Sequence, residues 1–280
     1  MKKRKIDCRK LKGFEAFLKN EERSAVTIDK YMRDVRRFSE FVGDGEVDKQ
    51  TVMEYKCELG KSYAISGANS MIGALNTFLR FSGWTDLCVK QFKVQKKTYC
   101  TAQKELSRDE YKRLVATAEK KKNERLSLVI QTICGTGIRV SELSHITVEA
   151  VRQGEATVSC KGKTRTVFIV PALQKKLLRY SKEHHITSGA VFVTKYGKPM
   201  NRCNIWKEMK ALCNQAGVLP DKVFPHNLRH LFARTFYSIE KDIAKLADIL
   251  GHSSVNTTRI YIITTGEEHR RRMESMRLVI

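Results

Sequence analysis

Residues 90–104 cut the chain into two. On either side apolar residues recur at helical spacing, but between them the period disappears and Lys90, Lys93, Lys96, Lys97 and Lys104 accumulate. A segment with no apolar face has nothing to bury, so this stretch reads as a flexible, basic connector between two domains. A length of 280 residues accommodates two cores. The expected division is 1–88 for an N-terminal helical domain, 89–103 for the linker, and 104–280 for a second domain with a C-terminal tail.

The N-terminal block reads as a four-helix module. A helix is expected near Phe14 to Leu18. Ser24 and Thr27 offer caps for a second, with Ile28, Tyr31, Met32, Val35, Phe38, Phe41 and Val42 at helical spacing, and Gly43 and Gly45 closing it. Asp48 can cap a third helix carrying Val52, Tyr55 and Leu59, which is expected to stop at Gly60. A fourth run from about Ser66 carries Met71, Ile72, Leu75, Phe78 and Leu79 before the Ser82-Gly83 break.

The second domain opens with Ser107, Asp109 and Glu110 before an amphipathic run, the pattern of a capped helix start. A longer apolar helix through Leu126, Val129, Ile130 and Ile133 meets Gly135-Thr136-Gly137, where two glycines are expected to break it. Between Ala156 and Val170 two runs of strand formers flank Lys161-Gly162-Lys163, which reads as a hairpin. Val191 to Thr194 is a candidate third strand, and the chain beyond Met200 reads helical. The fold class expected is mainly α with a small antiparallel β-sheet.

Charge narrows the partner. The formal net charge is +23 and both expected domains are basic, with a pI near 9.8. Such a field attracts a polyanion, and a ligand touching both halves fits an extended duplex. The basic start of the chain is followed by no apolar run, so no secretory signal is read. No stretch approaches the ~20 apolar residues of a membrane helix, and a cytoplasmic, nucleoid-associated protein is expected. The eight cysteines are scattered without a C-x-x-C pair, so neither a structural metal nor a disulfide is expected.

Three separated segments carry the candidate chemistry. In Gly135 to Leu143, Arg139 stands where a helix begins, and Glu142 lies three residues on, able to orient its guanidinium. In Pro225 to His230, His226 and Arg229 form an i, i+3 pair entering a helix. In Leu250-Gly251-His252, the histidine precedes Tyr261 by nine residues. Taken singly, each has a plain structural reading: a half-buried tyrosine, a helix-end histidine, a surface ion pair.

Together, in this order, these segments resemble the tyrosine recombinase (phage integrase-like) family, whose motif runs Arg, Lys, His-x-x-Arg, His or Trp, then Tyr. The family's lysine comes from a β-hairpin, which makes Lys161 the matching position, with Lys163 a rival. The resemblance spans nearly the whole chain. It implies a two-domain clamp on duplex DNA, with a helical core-binding domain and a mixed α/β catalytic domain.

The residue types suit phosphodiester chemistry. Attack on the phosphorus adds charge to the non-bridging oxygens, and fixed cationic donors such as Arg139 and Arg229 stabilise that charge more than the ground state. His252 would add a donor, and His226 could donate a bond or shuttle a proton. By the resemblance, Lys161 protonates the departing 5′ oxygen, and Tyr261 is the nucleophile that becomes a 3′-phosphotyrosine. Neither metal nor ATP nor any other cofactor is then needed. The resemblance further implies a homo-tetramer assembled on two DNA sites, with an accessory DNA-bending or directionality protein as a candidate partner, and a tail that docks on a neighbouring protomer, with folding back on its own domain as the alternative. Integration of a mobile element is the favoured role, with Xer-type resolution or DNA inversion as rivals. A type IB topoisomerase-like nick-and-reseal enzyme and a non-catalytic DNA-binding regulator are the alternatives.

Overall fold

The computed structural model describes residues 4–94, 105–160, 163–194, 196–261 and 273–276. The chain divides into two compact units, Met1–Lys96 and Lys97–Ile280.

The first unit is the expected helical module. Helix α1 (Cys8–Asn20) is capped by the Asp7 carboxylate, which accepts from the Lys10 N–H. Helix α2 (Ala25–Val42) ends at Gly43, whose φ of 59° few other residues adopt. Helices α3 (Lys49–Ser62) and α4 (Ile65–Phe81) complete it. Their apolar stripes meet in one core around Phe14, Phe38, Leu59, Ile72 and Phe78, all essentially without solvent contact. Asp48 caps α3 as expected, but Gly60 does not end it. The missing side chain makes room instead: a Cβ there would lie 2.9 Å from Phe92 Cζ.

That contact belongs to a strap formed by the first residues of the expected linker. The Asn76 side-chain amide donates to Val89 O (2.8 Å) and accepts from Val89 N (3.0 Å). One helical heptad earlier, Asn69 does the same to Phe92, at 2.9 and 2.8 Å. Two amides on one face of α4 thus satisfy the backbone of residues 89–92 as a paired strand would. The remainder of the connector, from residue 95 to 104, lies outside the described residues.

The second unit is built around helix α6 (Glu124–Thr136), buried on nearly every side at Leu126, Leu128, Val129, Ile130 and Ile133. Against it lie α5 (Arg108–Lys120), α8 (Pro171–Glu183) and α11 (Pro225–Glu240). The Ser107–Glu110 capping box that opens α5 is complete, with both reciprocal bonds made. Helix α7 (Val148–Gln153) leads into strands β1 (Glu155–Cys160) and β2 (Lys163–Phe168), paired antiparallel from Glu155↔Phe168 to Cys160↔Lys163. Helices α9 (Arg202–Lys210), α10 (Cys213–Ala216), α12 (Ile243–Leu250) and α13 (Val255–Arg259) account for the helical reading beyond Met200.

Two local expectations are corrected. Gly135 remains inside α6, and Gly137 alone, with φ of 66°, terminates it. Val191 to Thr194 forms no strand. Thr194 accepts from Gly197 N and donates to Lys198 O, so the segment turns back on itself and leaves isolated bridges at Thr147↔Ala190 and Val193↔Pro199. Among the described residues no helix is long and apolar enough to cross a membrane.

Gly137 is required twice over. Its conformation is left-handed, and a Cβ would meet Phe232 Cδ1 at 2.5 Å, where α11 crosses the end of α6. Gly137→Ala should therefore lower stability by about 1–3 kcal/mol or more, from backbone strain and overpacking together. Urea denaturation followed on the second unit measures this, and an unchanged midpoint would contradict it.

Candidate functional site

Arg139 follows the turn that ends α6 and begins a 3-10 segment, Val140–His145. Residues three apart eclipse one another in that geometry, so Glu142 folds directly under Arg139. Its carboxylate accepts from Arg139 N (2.9 Å) and from Arg139 NH1 (2.8 Å). Glu142 is only 3% exposed, so its charge needs compensation beyond a half-exposed partner. The second cation is Arg165 on β2, whose NH2 donates to Glu142 Oε2 at 2.6 Å. One buried carboxylate thus joins two guanidinium groups, one from the helix turn and one from the hairpin.

Arg229 sits one helical turn into α11 and is 1% exposed. No carboxylate pairs with it among the described residues. Its NH1 donates to Gly137 O at the end of α6, and its NH2 donates to Leu250 O, the last residue of α12, at 2.6 Å. Both acceptors are carbonyls at helix C-termini, where the peptide dipoles accumulate negative charge. Burial, and then the nearby Arg139, push its pKa down to about 10, which leaves it charged at neutral pH.

His252 follows Gly251, the left-handed residue that caps α12. Its Nε2 lies 3.1 Å from Arg229 NH2, and its Nδ1 lies 2.9 Å from the hydroxyl of the buried Thr258. A guanidinium only donates, so Nε2 accepts and the ring proton sits on Nδ1, donating to Thr258. Burial, followed by Arg229, Arg139 and Arg165, pushes the His252 pKa down to about 4. In this arrangement the ring is neutral, with Nε2 engaged as an acceptor.

Tyr261 comes just after α13, its N–H donating to Thr258 O. The side chain is 6% exposed and packs on Ala233, Leu246 and Leu250. The hydroxyl is nevertheless not enclosed by hydrocarbon. It lies 3.4 Å from His226 Nε2, and the Arg229 guanidinium carbon is 6.0 Å from the ring centre. His226 itself is exposed and sits in the first turn of α11. Desolvation first, then Arg229 and Arg139, lower its pKa, and so at neutral pH it presents an imidazole able to accept a proton.

Arg139, Glu142, His226, Arg229, His252 and Tyr261 therefore converge on one place from three segments spread over more than a hundred residues of the chain. Lys161 and most of the tail, residues 262–272 and 277–280, lie outside the described residues, as does the side chain of Lys163. Two residues of the site escape a motif reading. Arg165 was legible only as an arginine in strand register with the inward-facing Val167 and Ile169. His230, four residues after His226 and so on the same face of α11, stacks on the Tyr261 ring with centroids 4.2 Å apart. Among the described residues no group of three or more His, Cys, Asp or Glu side chains is placed to hold a metal ion.

Two predictions follow from these electrostatics. Glu142→Gln removes the buried carboxylate that Arg139 and Arg165 share and should cost about 3 kcal/mol of stability by denaturant titration; a neutral effect would show that the carboxylate is not the bridge. His230, like His252, is held down to about 4, here by burial and then His226, Arg234 and Arg229. Both rings bind their protons more readily unfolded, near 6.5. Their stabilising contribution is complete above about pH 6.5 and is lost as the pH falls toward 4. The thermal midpoint of the second unit should drop with acid across that window, and drop less in His230→Phe.

Comparison with known proteins places these residues in context. Residues 104–268 match the model of the phage integrase family, and residues 11–85 that of the phage integrase N-terminal SAM-like domain. Tyrosine recombinase XerA of Thermococcus kodakarensis is 29% identical over 279 residues, covering 96% of this chain and 95% of its own. A crystal structure of XerA recombinase superposes with a TM-score of 0.55 at 26% identity, over 97% and 99% of the two chains. A lambda integrase tetramer bound to a Holliday junction shares the fold, with a TM-score of 0.72 at 15% identity over 90% and 76%.

Proposed function

The chain belongs to the phage integrase family, and from that premise we propose that it is a site-specific recombinase whose Tyr261 forms a 3′-phosphotyrosine with duplex DNA. One observation carries the reading: the Tyr261 hydroxyl lies against His226 Nε2 in a pocket whose fixed charges are Arg139 and Arg229.

The Tyr261 oxygen attacks the phosphorus in line with the 5′ oxygen, while neutral His226 takes the phenolic proton. The P–O5′ bond breaks as the P–O(Tyr261) bond forms, so the phosphodiester energy is retained. Three of the five N–H groups of Arg229 are committed to Gly137 O, Leu250 O and His252 Nε2; the other two, of which the Nε–H is buried without a partner among the described residues, are the ones we assign to Tyr261 and a phosphoryl oxygen. Their direction is set in advance by those bonds, so little reorganisation accompanies the developing charge. Arg139, tethered by Glu142 but partly exposed, approaches the same phosphate from the solvent side. The leaving 5′ oxygen takes its proton from Lys161, a role that rests on the family likeness. Reversal by a new 5′ hydroxyl joins the exchanged strand. Neither metal nor ATP enters any of these steps.

Each unit, read by itself, is suited to contact duplex DNA, and in this reading four protomers on two sites carry out the exchange. Integration of a mobile element is the role we favour. The near full-length likeness to proteins named XerA supports a second reading, resolution of repeated sites. A plasmid carrying two directly repeated copies of the DNA flanking the gene distinguishes them, since deletion between the repeats points to resolution and insertion into a separate target to integration.

A nicked suicide duplex built from that flanking DNA tests the chemistry. Wild-type protein should form an SDS-resistant adduct in the presence of EDTA, and Tyr261→Phe should form none. Arg229→Lys should lose about 10²–10³-fold in adduct rate. An adduct that persists in Tyr261→Phe would overturn the assignment. Relaxation of plasmid lacking the site, with no recombinant product, would favour the topoisomerase-like alternative. The acid limb of the rate profile should lie below the ordinary histidine range, because only a neutral His226 can accept the proton.

A further inference from the structure

The nucleophile is held on the face of another ring. The His230 and Tyr261 planes are 21° apart with centroids at 4.2 Å, whereas His226 and His252 meet the same tyrosine at 65° and 40°, with centroids beyond 5 Å. His230 also presents its ring edge-on to His226, at 4.8 Å and 77°. It therefore touches both the phenol and the phenol's hydrogen-bond partner. The arrangement follows from helix geometry: His226, Arg229, His230 and Ala233 stand at i, i+3, i+4 and i+7 and form one stripe of α11. Ala233 supports the Tyr261 ring from the same stripe. From position 230 a planar side chain lies flat on the tyrosine while the same helix carries the guanidinium and the imidazole of the site.

We propose that His230 is a positioning residue of the strand-transfer reaction, its imidazole plane serving as the platform that orients the Tyr261 phenol toward His226. The proposal rests on the phosphotyrosine reading for its effect on rate, but not for the stack itself. The aliphatic side chains of Ala233, Leu246 and Leu250 share a buried cluster with Tyr261 and bound its ring, but they offer no flat face to it. Without a plane to lie on, the ring samples other rotations about its Cα–Cβ bond, and the hydroxyl spends less time near His226 Nε2. An aliphatic side chain of similar size fills the volume but imposes no plane. Shape thus separates a positioning role from mere space filling.

The test compares wild type, His230→Leu, His230→Phe and Tyr261→Phe in the full-length protein. Adduct formation is followed under single-turnover conditions on the nicked duplex, DNA affinity is measured on the intact duplex, and ¹³C-labelled tyrosine spectra are recorded without DNA. The Tyr261 signal is identified as the one lost in Tyr261→Phe. His230→Leu should slow adduct formation by about ten- to a hundredfold, with DNA affinity within about twofold of wild type. It should also displace the Tyr261 signal, and His230→Phe should restore both rate and signal. Equal rates in the Leu and Phe variants, or a Tyr261 signal that ignores the Leu change, would overturn the proposal. If wild type itself forms no adduct, the phosphotyrosine reading fails while the spectra still decide the stack. Should His230→Leu fail to fold, His230→Gln carries the same comparison.

Discussion

The architecture of the second unit depends on one buried guanidinium. Arg229 carries a full positive charge with essentially no solvent contact, and among the described residues its two terminal nitrogens donate to backbone carbonyls rather than to an acid, while its Nε is buried without a hydrogen-bond partner. Those carbonyls belong to the ends of two helices, α6 and α12, so a single side chain from a third helix, α11, draws three elements to one point. Burying an unpaired charge would be prohibitive. Two helix C-termini aimed at it supply the compensation without introducing a negative charge that would repel a phosphate. The glycine ends of both helices belong to the same device. Gly137 and Gly251 adopt left-handed conformations that turn the chain at the carbonyls in use, Gly137 at its own and Gly251 just after that of Leu250.

From this centre the rest of the electrostatics follows. Arg139 and Arg165 share the one carboxylate, Glu142, so the site keeps an excess of positive charge while its most buried acid is doubly paired. Three guanidinium groups in a small volume then disfavour any further cation. The three histidines around Tyr261 respond by staying neutral, each held below its ordinary range by burial and by the arginines. The cations are therefore the permanent ones, and of the neutral imidazoles it is His226 that stands against the Tyr261 hydroxyl. The close approach of β2 to α12 reinforces the arrangement. A Cβ on Gly251 would strike the Arg165 side chain at 2.4 Å, so the hairpin is seated where its arginine can reach Glu142.

Much of this was legible in the residues themselves. Helical spacing with Asp48 and Ser107 caps located α3 and α5, and strand formers around a Lys-Gly-Lys turn located the hairpin. The errors arose where a local signal met a distant partner. Gly60 looked like a stop, but its missing side chain accommodates Phe92, thirty-two residues on. Val191 and Phe192 had strand character, yet Thr194 bonds back to Gly197 and Lys198, and among the described residues the segment makes only isolated bridges. Residues 89–92 looked like free linker, and two asparagines of α4 bind their backbone.

By itself the sequence determined which groups the site could contain, and in what order: charge that calls for a polyanion, two guanidinium groups, an i, i+3 histidine–arginine pair, and a tyrosine shortly after a glycine-terminated helix. These are local or compositional properties, carried by residues a few positions apart. Tertiary structure alone decided that Arg229 would rest on helix ends, that Arg165 would join Glu142, and that His230 would lie flat against Tyr261. Each of those depends on burial and on which elements meet in space. A chain folded by non-directional apolar burial does not record such meetings in the spacing of its residues.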